Sequence, residues 1–123
     1  MAAATPKQLL SFFLRPQGRI SRREFALGAG LVICLDLALL SFLLQDTVLR
    51  PETMFVIFLL GLPLTIAMLV VAAKRCHDIG LPGSFVLLLL LPFVGVVWLV
   101  LLCVLPGKAG PNSYGPQPQF APE

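Results

Sequence analysis

A chain of 123 residues that is 58% hydrophobic and only 12% charged, with a mean hydropathy of +0.93, has too few polar side chains to clothe a small water-soluble domain. Its composition points to lipid as the solvent. The net charge of +3 reads as membrane orientation and calls for no nucleic-acid partner.

The leader opens with a helix start. Thr5, Pro6 and Gln8 supply an N-cap, a proline at the first helical position and a capping-box partner, predicting a helix over 5–15. Leu9, Leu10, Phe12 and Phe13 give it one apolar side, flanked by Lys7 and Arg15, so it is expected to lie in the headgroup plane. Arg15, Pro16 and Gly18 end it. Residues 21–24, SRRE, are a second capping box in which Ser21 and Glu24 serve each other's orphan amides. Arg22 and Arg23 oppose the dipole of the helix they open, by about 0.3–1 kcal/mol each. Anionic headgroups, at about 1 kcal/mol per cation, offset that.

Three apolar runs follow, 26–44, 54–73 and 85–105. At ~1.5 Å per residue each is about 30 Å long, the thickness of a bilayer's hydrocarbon core. Backbone polar groups in lipid must be satisfied within the segment, so all three are expected to be transmembrane helices. A cleaved signal peptide is the rival for the first, but the run exceeds an h-region and no small-x-small site follows Leu44. Gly28, Ala29 and Gly30 offer a contact stripe for a second copy or a membrane partner. Asp36 is the only formal charge inside a run. It reads as a neutral carboxyl bonded to neighbouring backbone, Ser41 or Thr65, or else as part of an ion path. Pro63 and Pro92 predict kinks in the second and third helices.

Between the second and third runs lies AAKRCHDIGLPGS, residues 72–84. Helix-stop chemistry explains much of it. Lys74, Arg75 and His77 suit the negative end of a helix, Gly80 a left-handed C′ position, and Pro82 prevents continuation. Lys74 and Asp78 are spaced to pair. His77 is also a candidate proton carrier. Side chains adjacent on a helix diverge, so Cys76, His77 and Asp78 do not make a metal site. Cys34, Cys76 and Cys103 are too widely spaced for a disulfide framework. The Pro- and Gly-rich tail, 106–123, is expected to be irregular, with a turn at Asn112, Tyr114 and Gly115.

Lys7, Arg15, Arg19, Arg22 and Arg23 precede the first run. The first connection holds Arg50 against Asp46 and Glu52, the second Lys74 and Arg75, and the tail Lys108. Positive-inside reasoning puts the N-terminus in the cytoplasm and, with three spans, the C-terminus in the periplasm. Were the third run, broken by Pro92, to form two re-entrant half-helices, the tail would return inside.

GRISRREF (18–25), KRCHDIG with PG after it (74–83) and PGKAGPNSYG (106–115) together resemble the domain-of-unknown-function 805 family of small multi-pass proteins of the bacterial inner membrane. The resemblance maps the family's motif positions onto Gly18, Arg19, Arg23, Glu24, Phe25, Arg75, His77, Asp78, Gly80, Gly83, Gly107, Asn112, Tyr114 and Gly115. Ala26 stands where the family usually has an aromatic, Cys76 where it has Leu, and Pro82 to Phe85 where it has a Ser-Gly-Trp run. The resemblance implies an address and a fold, and no activity.

The sequence therefore predicts one all-α membrane domain over 1–123, an interfacial amphipathic helix followed by three transmembrane helices. A cytoplasmic polar network of Arg19, Arg23, Glu24, Arg75, His77 and Asp78 is expected, in which Glu24 and Asp78 meet Arg19, Arg23 or Arg75. The function expected is non-enzymatic: a multi-pass inner-membrane component, without cofactor, binding anionic lipid headgroups or a membrane partner and forming homo-oligomers. The alternative is an oligomeric proton or small-ion conduit using Asp36 and His77.

Overall fold

The computed structural model describes residues 5–15, 17–45 and 50–118, and among these it is all-helical. Helix α1 is Pro6–Leu14, α2 is Arg22–Leu44 and α3 is Pro51–Ile79; a 3-10 helix, Gly83–Leu90, precedes α4, Val94–Val104. The expected roles of Pro16 in ending the first helix and of Asp46 in the first connection lie outside the described residues.

Both predicted capping boxes form. Thr5 Oγ1 accepts from the Gln8 amide at 3.4 Å and the Thr5 amide donates to Gln8 Oε1 at 3.0 Å. The Ser21 amide donates to Glu24 Oε2 at 2.7 Å, and Ser21 Oγ accepts from the Glu24 amide at 3.3 Å. Arg15, which precedes a proline, is extended and stops α1. At the far end of α3, Gly80 takes the left-handed conformation at φ 90°, and the Leu81 amide reaches back to the Cys76 carbonyl at 2.9 Å.

Helices α2 and α3 run past their apolar stretches because SRRE and KRCHDI are helix-compatible and continue them. Both are long and apolar enough to cross a membrane, and only 17% and 6% of their most apolar windows are buried. Core helices of a water-soluble protein would hide those faces. Here Leu37, Phe42, Phe55 and Phe58 stand 60–72% exposed.

The third run is corrected by the structure: no single helix occupies 85–105. Pro92 lacks an amide proton and bars its predecessor from the helical region, so Leu91 is extended, and Phe93 turns to φ 59°. The chain reverses there. A 3-10 rise of ~2.0 Å per residue gives the first limb about 16 Å, and α4 at ~1.5 Å gives much the same, about half a bilayer core. The limbs pack together, with the Phe85 and Trp98 rings 5.9 Å apart, and a Cβ on Gly95 would lie 2.6 Å from the Leu89 carbonyl oxygen. The hairpin starts beside α3, where Gly83 abuts His77, and ends beside it, where the Leu102 carbonyl meets Arg75.

The core lies at this end of the molecule. Ile20, Phe25, Ala29, Val71, Cys76 and Leu102 are buried against one another, with Phe12, Phe13 and Trp98 packed on them. The small-residue stripe is largely used internally: Ala29 is buried, and a Cβ on Gly28 would meet the Phe12 ring at 2.8 Å, whereas one on Gly30 would meet nothing.

Candidate functional site

Three segments remote in sequence meet where α3 ends. Asp78, on the last turn of α3, is 2% exposed and forms ion pairs with Arg19 and Arg75. Arg19 Nη2 lies 2.9 Å from Asp78 Oδ1, and Arg75 Nη1 binds Oδ2 one turn back on the same helix. A buried carboxylate held by two guanidiniums is costly to desolvate and stable only when every donor is matched.

Backbone carbonyls do the matching. Arg75, fully buried, donates to Leu102 O at 2.8 Å, to Ile20 O at 3.3 Å and to Leu105 O. Arg19 donates to Gly110 O at 2.7 Å, Lys108 O at 2.5 Å and Gly115 O at 3.4 Å. Arg22 reaches Val104 O at 3.3 Å. Several of these are carbonyls at the end of α4, which have no partner within the helix and carry its negative dipole. The same device holds α1: Lys74 Nζ donates to Phe12 O at 2.7 Å and Ser11 O at 3.3 Å, and lies 5.0 Å from the Phe12 ring centroid. Cations thus cap the C-termini of α1 and α4 at one face.

The tail completes the knot. The Lys108 amide donates to the Asp78 carbonyl at 2.9 Å, and Asn112 Nδ2 donates to the His77 carbonyl at 2.9 Å. Residues 112 and 115 exchange backbone bonds, and the Tyr114 amide donates to Asn112 Oδ1, forming the predicted turn. Tyr114 stacks on His77 with centroids 4.2 Å apart and planes 3° from parallel. His77 Nδ1 lies 3.1 Å from Gly18 O; a carbonyl only accepts, so Nδ1 carries the proton. Gly107 passes so close to Asp78 that a Cβ there would sit 2.6 Å from its Cγ.

Of the expected polar network, Arg19, Arg75, His77 and Asp78 are brought together, along with Gly18, Gly80, Gly83, Gly107, Asn112, Tyr114 and Gly115. Arg23 and Glu24 are not part of it. Glu24 is taken by its own cap and does not pair with Arg75, and Arg23 is exposed with no polar contact to the described residues. Lys74 does not pair with Asp78, because each has nearer partners. The tail, expected across the membrane from the leader, is bound to it. Asp36 lies midway along α2, half-buried, without a hydrogen bond to the described residues, and Thr65 donates to Gly61 O at 3.0 Å instead.

Sequence reasoning missed the acceptors. Ile20, Leu102, Leu105, Lys108 and Gly110 contribute main-chain oxygens, which every residue has and no motif marks. Among the described residues, no three His, Cys, Asp or Glu gather to hold a metal. The knot's arginines have their donors occupied by protein oxygens, so its chemistry is that of a fastening.

Residues 13–116 match the family described as "Protein of unknown function (DUF805)". Two curated proteins, each called "Inner membrane protein YhaI", from Escherichia coli strain K12 and Escherichia coli O157:H7, are 43% identical to this chain over 54 residues. The alignment covers 42% of this chain and 44% of each relative, so less than half the length of these relatives is matched. No solved structure matches. The family match covers the leader motif from Gly18, the end of α3 and the tail as far as Gly115, the three pieces the knot ties together; the chain belongs to the DUF805 family.

Proposed function

We propose that this protein is a non-enzymatic component of a bacterial inner membrane that binds anionic headgroups through its basic cytoplasmic face. The observation that carries this is the division of labour among its cations. Arg19, Lys74 and Arg75 are consumed by internal oxygens, while Lys7, Arg15 and Arg23 stand exposed. An arginine fork left open at a membrane surface is suited to phosphate. The inner-membrane name of the YhaI relatives supports the address.

In this reading α2 and α3 cross the bilayer and the 83–104 hairpin re-enters it from the cytoplasmic side. The two limbs pack on each other and on the end of α3, while the reversal itself turns apolar side chains outward, Leu91 at 50% and Phe93 at 87% exposure. Of the nine Lys and Arg, only Arg50 then lies outside, a stronger bias than three spans give. The prediction is direct: alkaline phosphatase fused after the tail stays inactive, and a fluorescent protein fused there lights up. An active phosphatase would overturn the hairpin.

Double reversal, Arg22→Glu with Arg23→Glu, is expected to remove anionic lipid that co-purifies in mild detergent while phosphatidylethanolamine stays. Unchanged lipid content would refute headgroup binding. The conduit reading gains no support: His77 is packed between Gly18 and Tyr114, and Asp36 lies about 20 Å further along α2. Self-association through the exposed outer halves of α2 and α3 remains part of the proposal.

A further inference from the structure

Between α1 and α2 runs an apolar groove of about 340 Å³, lined by Leu9, Phe12, Phe13, Leu27, Gly28 and Leu31, with Glu24 at its upper end. It exists because α1 rests on α3, pinned there by Lys74, and touches α2 where the Phe12 ring meets Gly28. The walls stay open: Leu9, Leu27 and Leu31 are 50%, 75% and 51% exposed. Leu27 and Leu31 follow Arg23 at intervals of four, one stripe of α2 descending from an exposed cation. On α1, Arg15 follows Phe12 by three and is likewise exposed. Glu24 keeps its negative charge at this mouth, partly offset by the Ser21 amide and the N-terminus of α2.

The occupant is fixed by that pairing of chemistries. A greasy slot whose two walls each carry, one turn away along the helix, an exposed guanidinium without polar contact to the described residues complements an acyl chain joined to a phosphate. We infer that the α1–α2 groove holds one acyl chain of an anionic phospholipid whose phosphate lies on Arg23 and Arg15. This rests on the headgroup-binding reading above and adds a defined seat to it.

The test reconstitutes the full chain in nanodiscs of equal phosphatidylglycerol and phosphatidylethanolamine, extracts it in mild detergent and counts retained lipids by native mass spectrometry. Wild type should keep one phosphatidylglycerol in preference. Losing a charge-assisted contact through Arg23→Gln should lower that preference about tenfold. Leu31→Trp, at an exposed position where the fold has room, should fill the slot and abolish the retained lipid. If Leu31→Trp and Leu27→Trp both keep wild-type retention while Arg22→Glu with Arg23→Glu removes it, headgroup binding stands and the groove assignment falls. If wild type shows no preference, both fall. Retention that follows acyl length without regard to headgroup would also overturn the assignment, as would a protein displaced by Leu31→Trp.

Discussion

Asp78→Asn is expected to lower the unfolding free energy in mild detergent by about 3–5 kcal/mol, the cost of leaving buried charge without its counter-ion. The substitution keeps shape and removes only the charge, so cavity formation contributes nothing. Arg19 and Arg75, 1% and 0% exposed at their side chains, would then face each other across a neutral amide. Trp98, the sole tryptophan, packs near this region and reports the transition through its emission. Arg23→Ala serves as the control: an exposed side chain without polar contacts to the described residues should move stability by no more than about 0.5 kcal/mol. Equal effects at the two positions would show that the charge knot does not hold the fold.

Gly107→Ala should act on the same carboxylate by another route. The methyl would enter the space of Asp78, 2.6 Å from Cγ and 2.9 Å from Oδ1, and the ion-paired side chain has nowhere to withdraw. Overpacking of this kind costs about 1–3 kcal/mol. The test of cause is a cycle: on an Asp78→Ala background the obstacle is gone, so the glycine substitution should become nearly neutral, with a coupling of about 0.5–3 kcal/mol. Gly30→Ala, whose methyl would meet nothing within 4 Å, should stabilise by about 0.5–1 kcal/mol through helix propensity. Additive losses from Gly107→Ala and Asp78→Ala would mean that Gly107 matters for something other than its distance from the carboxylate.

What could be read beforehand was local. The Thr5–Gln8 and Ser21–Glu24 boxes and the left-handed Gly80 each involve partners within four residues, so sequence order stands in for space. The length of the 85–105 run misled because apolar length measures exposure to lipid and says nothing of helix continuity. Pro92 marked the break, and only the packing of Gly95 on Leu89 shows it to be a reversal rather than a bend. The charged members of the knot were visible as charges, and of the three arginines expected to meet Asp78, Arg19 and Arg75 do. Glu24 was expected across from an arginine and is held by the nearest amide. Arg19 finds oxygens on the tail and Arg75 at the end of α4 and on Ile20, all main-chain groups that no side chain marks.

The separation of Arg19 from its acceptor on Gly110 is 91 residues. At a synthesis rate of ~5–20 residues per second, about 5–18 s pass between the emergence of the two. Both long helices leave the ribosome before the fastening can close. The arginine therefore waits while both long helices are made, and the arrival of residues 108–115 determines when the newborn chain locks.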